Sequence, residues 1–232
     1  MPQFDLALIL HGQYRDWLVS GLVVSLELAL VALVCALPLA MAIALLRLAP
    51  NAALRAIGGV YVEAIRNVPL LAHLLFWYFG IAAMLPERVN TALNESGHME
   101  FLCAAIALTL YAAAYMAEDI RSGIRAVPVV QMEAGRALGF GFLGTMRRVI
   151  LPQALRVTVP PLISQALNLW KDTSIATVVG VAEMMYQAAR VESASFRSAE
   201  SFAFVSAAYL GVSLLITALG AWYHHRYPVR TA

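Results

Sequence analysis

Long apolar stretches alternate with short polar segments along the whole chain. A helix needs roughly 20 mainly apolar residues to cross a bilayer, and five windows have about that length: 18–46, 56–85, 101–117, 155–181 and 202–223. The pattern predicts an all-α integral membrane protein with a single transmembrane domain over residues 1–232. Because the number of windows is odd, the two termini are expected on opposite sides of the membrane. Pro38, Pro69 and the pair at 160–161 are expected to bend or interrupt three of these helices.

Composition agrees with the apolar windows, and the arginines add an orientation. Hydrophobic residues make up 61% of the chain and charged residues only 13%, which is far from the average of a soluble domain. The connections after the first, third and fifth windows hold ten arginines, and the opposite side holds four. Since cytoplasmic loops carry the excess of basic residues, the N-terminus is expected outside and the C-terminus in the cytoplasm. The net charge of +2 gives no sign of nucleic-acid binding.

Several polar side chains fall within or beside the apolar windows, where an ionisable group is costly unless it faces water or other helices. Glu63 and Arg66 are three residues apart, so one helical face could hold them as an ion pair. Lys171 is the only lysine, and it points about 100° away from its neighbour Asp172, which prevents a face-to-face pair. Such groups either form a structural network or line a pathway. The candidates for a substrate route are Arg66, Asn67, Tyr115, Lys171 and Asp172.

Enzyme motifs are missing from the sequence. It contains no H-E-x-x-H, no G-x-S-x-G and no cysteine spacing suited to a metal. The nucleotide-binding pattern G-x-x-x-x-G-K-[ST] is also absent, since the single lysine follows Trp170. We therefore expect no catalytic residue, no metal ligand and no bound cofactor in this chain. Work driven by ATP needs a second chain that binds the nucleotide.

A polar insert at about 126–152 connects the third and fourth windows. Its sequence from position 131 to 152, QMEAGRALGFGFLGTMRRVILP, resembles the signature E-A-A, three residues, G, nine residues, I-x-L-P of the membrane subunits of bacterial ABC importers. Gly135 replaces the second alanine of that signature and Val149 the isoleucine. The resemblance implies a cytoplasmic coupling helix that binds an ATPase subunit. Its residues are then Glu133, Ala134, Gly135, Arg136, Gly139, Leu151 and Pro152.

Four segments that follow one another between residues 61 and 181 are similar to the polar amino acid uptake branch of these importers: YVEAIRNVPLL, AAYMAEDIRSGIRAVPVVQMEAGRALG, RRVILPQALRVTVPPL and NLWKDTSIATVVGV. The resemblance implies a type I importer fold with five spans, in the cytoplasmic (inner) membrane of a bacterium. It implies a transport subunit and not an enzyme. The implied partners are a second permease chain, homologous or another copy of this one, a cytoplasmic ATPase dimer that uses ATP and Mg²⁺, and an extracytoplasmic amino-acid-binding protein.

The solute is less well defined by the residues. Arg66 and Lys171 could meet a carboxylate, so charge alone allows any amino acid, since four acidic residues could meet an ammonium group: Glu27, Glu63, Glu118 and Asp172. LLFWYFGIAAMLPE and SAESFAFVSAAYL look most similar to glutamate/aspartate importer permeases, and we expect that substrate. Glutamine, arginine, histidine and cystine are the alternatives. An ion-coupled secondary transporter is a further alternative, although the sequence shows no pair of repeats with matching broken helices.

Overall fold

The computed structural model describes Asp5 and residues 9–228, and every regular element in these residues is helical. The α-helices are α1 (Gly12–Leu48), α2 (Ala52–Arg66), α3 (Leu70–Leu75), α4 (Ile81–Met84), α5 (Glu87–Glu95), α6 (Met99–Arg125), α7 (Val129–Ala137), α8 (Phe142–Thr145), α9 (Leu151–Asp172), α10 (Met184–Ser195) and α11 (Ser198–Arg226). Two π-helical turns, Phe76–Gly80 and Met146–Ile150, and a 3₁₀ segment, Thr173–Val179, continue neighbouring helices. The all-α prediction is confirmed for this part of the chain.

The long helices α1 and α6 form the centre of the molecule. In α1, fully buried residues recur at every fourth position, which places them along one helical face: Leu28, Ala32, Ala36, Ala40 and Ala44. Helix α6 also buries small residues, and it does so on more than one face: Ala104, Ala107, Ala113 and Ala117. Small residues let helix backbones approach closely, and this is how helices associate where lipid removes the hydrophobic driving force.

The second apolar window, 56–85, consists of two helical segments with a break between them. Helix α2 ends at Arg66, and α3 begins after Pro69. Proline lacks the N–H that a continuous helix needs and disfavours helical geometry at the residue before it, so α2 cannot run straight into α3. Helix α3 then continues through the first π turn into α4, which ends at Met84. The break leaves Arg66 and Asn67 exposed at the end of α2.

The fourth window, 155–181, is less interrupted than its prolines suggest. Pro160 and Pro161 both lie inside α9, which stays helical from Leu151 to Asp172. The 3₁₀ segment follows directly and ends at Gly180, which has a φ of 89°. Glycine adopts this conformation without the steric cost that a Cβ brings, and it allows the chain to turn toward α10.

Three helices within residues 9–228 are long and apolar enough to cross a membrane, namely α1, α6 and α11. Helix α11 buries only 6% of its most apolar window within the chain, so most of its surface needs lipid or another subunit as a partner. The remaining two windows are built from the shorter pieces described above. The five-span count and the orientation stay predictions, and Arg230, one of the ten arginines counted for the cytoplasmic side, lies outside the described residues.

Candidate coupling and translocation sites

The polar insert contains a nine-residue helix, α7, with a defined beginning and end. Pro128 precedes it with a φ of −59° and a ψ of 141°, and its ring fixes that φ. At the other end Gly139 has a φ of 83°. Its N–H donates to the Arg136 carbonyl at 2.9 Å, and the N–H of Phe140 donates to the Gly135 carbonyl at 3.1 Å. This pair of hydrogen bonds is a Schellman C-cap, whose left-handed position favours glycine.

Gly135, the departure from the family signature, packs against a side chain of α8. It is buried, and a Cβ at this position would lie 2.8 Å from Oγ1 of Thr145, 3.1 Å from its Cβ and closer still to its Cγ2. Thr145 is fully buried at the end of α8. The alanine of the signature does not fit here because Thr145 occupies its space.

The other side of α7 is open. Glu133, Ala134 and Arg136 are exposed, and among the described residues no salt bridge involves Glu133 or Arg136. Three large apolar side chains in the same part of the chain are also exposed: Val129 is 76% exposed, Leu138 75% and Leu143 81%. Exposed apolar side chains that are grouped with charged ones are typical of a docking surface.

The seven predicted coupling residues lie in two places. Five belong to α7 and its C-cap, whereas Leu151 and Pro152 begin α9. Proline is tolerated in the first turn of a helix because the N–H groups there have no partner within the helix. The second π turn joins α8 directly to α9. Leu151 and Pro152 therefore connect the α7–α8 unit to a membrane helix and do not form part of the exposed face of α7.

Of the five predicted pathway residues, the structure brings Arg66 and Tyr115 together. The Arg66 guanidinium lies over the Tyr115 ring, 4.9 Å from its centroid, and the Tyr115 hydroxyl lies 3.2 Å from that of Tyr111. Asn67 instead donates to the Glu63 carbonyl at 2.8 Å and to its carboxylate at 3.1 Å. The ion pair that the spacing of Glu63 and Arg66 permits is not formed.

Lys171 belongs to a polar stripe along α9. Ser164, Asn168 and Lys171 are all exposed, and their spacing of four and three residues places them on one helical face. Asp172 is half-buried beside this stripe. Gln165, which directly follows Ser164, donates from its side-chain amide to the Asp119 carboxylate of α6 at 3.0 Å. Polar groups at membrane depth face a water-filled path or another chain and avoid lipid, so the pathway role of this stripe stays a prediction.

Residues 36–228 match the family model described as the binding-protein-dependent transport system inner membrane component. This chain belongs to that family. The match covers most of the chain and confirms the resemblance to ABC importer membrane subunits that the insert and its flanking segments indicated.

Named relatives of this family member are amino acid permeases. The glutamate/aspartate import permease protein GltJ of Escherichia coli (strain K12) is 34% identical over 206 residues, which are 88% of this chain and 84% of the relative. The probable glutamine ABC transporter permease protein GlnM of Bacillus subtilis (strain 168) is 37% identical over 195 residues, 84% and 86% of the two chains. A solved structure of an amino acid ABC transporter with histidines has a TM-score of 0.84 and 29% identity, and the match covers 97% of this chain and 99% of that one.

In this family member Glu118 is already engaged by two arginines. Its Oε1 lies 2.7 Å from Nη1 of Arg47 and its Oε2 2.7 Å from Nη2 of Arg121. The contact with Arg47 is a close ion pair that lacks hydrogen-bond alignment. Glu118 therefore ties the end of α1 to α6, and its carboxylate is not free to meet a substrate ammonium group. Before the structure, the only indication of this three-residue ion-pair cluster was the i, i+3 spacing of Glu118 and Arg121.

Sequence reasoning also missed Glu183, which is fully buried between the helices at the other end of the molecule. Its carboxylate accepts hydrogen bonds from the hydroxyls of Ser25 at 3.2 Å and Tyr209 at 3.1 Å, and from the N–H of Tyr186 at 2.9 Å. It caps α10 and joins this helix to α1 and α11. The local signal for the cap was an acidic residue just before a helix, but the two hydroxyl partners are distant in sequence.

Proposed function

We propose that this chain is the membrane-spanning subunit of an ATP-driven importer of glutamate or aspartate in a bacterial inner membrane. It has five spans with the N-terminus outside, works beside a second permease chain, and receives the amino acid from an extracytoplasmic binding protein. The ATPase partners hold ATP and Mg²⁺. The observation that carries the proposal is the α7–α8 unit, which exposes a docking face and continues without a loop into the polar stripe of α9.

The mechanism is alternating access driven from α7. A cytoplasmic ATPase dimer holds the exposed face of α7, with Glu133 and Arg136 available for charge-assisted hydrogen bonds. The C-cap at Gly139 and the contact between Gly135 and Thr145 keep α7 and α8 as one body. Because the second π turn connects this body to α9, a movement of the ATPase is transmitted to the helix that bears the pathway residues.

The pathway residues suit an acidic amino acid. Arg66 and Lys171 are exposed cations on different helices, and each is a suitable partner for a carboxylate. Asp172 supplies a negative charge for the ammonium group that every amino acid carries. The named relative that imports glutamate and aspartate supports this assignment, while the relatives for glutamine and arginine make those amino acids the competitors to be tested.

Coupling is tested with Gly139 and Glu133. A residue with a Cβ costs about 1–2 kcal/mol in the left-handed conformation, and asparagine tolerates it better than alanine. We expect Gly139→Asn to retain more ATP-driven uptake than Gly139→Ala in vesicles that contain all subunits. Glu133→Ala should hydrolyse ATP with reduced uptake per ATP, and Glu95→Ala on exposed α5 is the matched control. Normal uptake in both Gly139→Ala and Glu133→Ala contradicts the coupling role.

The substrate route is tested with single alanine variants of the five candidates: Arg66, Asn67, Tyr115, Lys171 and Asp172. In vesicles, uptake of labelled glutamate is competed with aspartate, glutamine and arginine. Loss of a cation should weaken the preference for acidic amino acids, because the pathway then lacks a partner for the side-chain carboxylate. If all five variants match the parent in rate and preference, these residues do not border the route. If the chain transports alone with an ion gradient and without ATPase subunits, the importer assignment is wrong.

A further inference from the structure

An apolar groove lies between α1, α6 and α9, on the side of the molecule away from the polar stripe. Its cavity has a volume of about 130 Å³ and is lined by apolar side chains: Leu37, Met41, Ile120, Ile124, Leu151 and Leu155. Thr158 adds a hydroxyl, which already donates to the Ala154 carbonyl at 2.8 Å. The groove therefore presents hydrocarbon with no hydrogen-bonding group left to satisfy.

The position of the groove on α9 shows which solvent it faces. Successive residues of a helix are about 100° apart, so Leu151 and Leu155 point to the side roughly opposite Asn168 and Lys171. With the polar stripe on the pathway side, as in the proposed function, the groove is on the lipid side. At its mouth the α1 residues Leu37 and Met41 are each 39% exposed and Leu155 is 52% exposed, so the cavity opens outward.

Two arginines adjoin lining residues at the end of the groove next to α7. Arg125 directly follows the lining residue Ile124, and Arg148 precedes Leu151 by three positions. Both are exposed, and no described carboxylate lies within 4.0 Å of either. Arg148 lies over the Phe140 ring, 5.0 Å from its centroid, a contact that does not neutralise its charge. Long arginine side chains near the end of a membrane helix reach toward the headgroup region. We call these two side chains the rim arginines.

We propose that the groove holds one acyl chain of an anionic phospholipid, whose headgroup phosphate is bound by the rim arginines. The apolar lining matches a hydrocarbon chain, and the unpaired positive charge at one end matches the only anionic part of such a lipid. Basic clusters between helices at the membrane surface bind anionic headgroups. Because Leu151 begins α9 and lines the cavity, the bound lipid contacts the point where the α7–α8 unit joins α9.

The proposal is tested by native mass spectrometry of the purified full-length chain with the subunits that copurify. The purified protein is supplied with either phosphatidylglycerol or phosphatidylcholine, and the two lipids carry identical acyl chains. The parent should retain phosphatidylglycerol preferentially. Leu155→Trp, which fills the mouth, should reduce retention at least about tenfold, since each buried methylene contributes a factor of about four. Leu214→Trp, on the exposed face of α11, is the control and should bind like the parent.

The headgroup contact has its own variants. The double variant Arg125→Gln and Arg148→Gln should lower phosphatidylglycerol retention about 25-fold, because each basic side chain contributes a factor of about five. The double variant Arg15→Gln and Arg88→Gln removes the same amount of charge far from the groove and should leave phosphatidylglycerol retention unchanged. Equal retention of both lipids, or unchanged binding in Leu155→Trp, overturns the proposal. Disulfide cross-linking of two copies through Leu155→Cys, in a Cys35→Ala background, overturns it by placing a second chain in the groove.

Discussion

Gly135 provides the most direct test of how α7 packs against α8 in the α7–α8 unit. The family signature has alanine there, and alanine is the better helix former by about 1 kcal/mol. A simple propensity argument therefore expects Gly135→Ala to stabilise α7. The structure predicts the opposite, because the new Cβ would lie 2.8 Å from Oγ1 of Thr145 and closer to its Cγ2. Both atoms belong to a side chain that is fully buried.

Two opposing contributions determine how much Gly135→Ala changes the stability of the α7–α8 unit. Overpacking a buried site costs about 1–3 kcal/mol, and the gain in helix propensity offsets about 1 kcal/mol of this. Gly135→Ala should therefore destabilise the α7–α8 unit by about 0–2 kcal/mol. Thr145→Ala alone should be nearly neutral, because it removes a buried methyl group but also a buried hydroxyl without a hydrogen-bond partner. In the double variant the nearest remaining contact is the one of 3.1 Å to the Cβ at position 145, which a small shift relieves.

Amide hydrogen exchange measures this local stability. Peptides that cover α7 report the free energy of opening in the parent, the two single variants and the double variant, within the assembled transporter. The two substitutions should show a favourable coupling free energy of about 1–3 kcal/mol, which is the overpacking cost, because the second removes the clash made by the first. Uptake per ATP should fall in Gly135→Ala and recover in the double variant.

Two results would refute this reasoning. One is a coupling free energy below about 0.5 kcal/mol, which is the range of independent sites. The other is greater protection of α7 in Gly135→Ala alone, which would mean that propensity outweighs the contact. If the double variant is as stable as the parent but does not regain uptake, Gly135 matters for contact with the ATPase and not for packing against α8.

Three further predictions follow from contacts in the helix bundle. In thermal unfolding, Glu183→Ala should lower the free energy of unfolding by about 2–4 kcal/mol, since it removes a helix cap and leaves two hydroxyls without their acceptor. Tyr209→Phe removes only one of these hydroxyls and should cost less than half as much in the same experiment. Glu118→Gln should cost about 1–2 kcal/mol, because its two ion pairs are only partly exposed, with Glu95→Gln as a surface control. Gly123→Ala should weaken the packing of α6 on α9, because its Cβ would overlap a buried threonine, and greater susceptibility of the detergent-solubilised chain to proteolysis would show it.

The sequence by itself determined the features that depend on neighbouring residues. Apolar windows of helical length predict a helical membrane protein, because only helices of this length satisfy their backbone within a bilayer. Pro69 predicts the break between α2 and α3, since it lacks an N–H and disfavours helical geometry at the residue before it. The same prediction is wrong for three prolines that lie inside α1 and α9: Pro38, Pro160 and Pro161. The spacing from Glu133 through Gly139 to Leu151 matches the family signature, and adjacent positions are enough to predict a helix, its C-cap and the following helix.

Tertiary structure alone decided the features that join distant positions. The hydroxyl that meets Glu183 is 158 residues away, at Ser25, and no local pattern encodes such a pairing. Arg66 contacts Tyr115 and not Glu63, because the packing of α2 on α6 determines which partner the side chain reaches. Gly135 is an unexplained departure in the sequence and a necessary one in the structure. Its helical propensity is a property of one residue, whereas the volume available to its side chain is set by Thr145 on another helix.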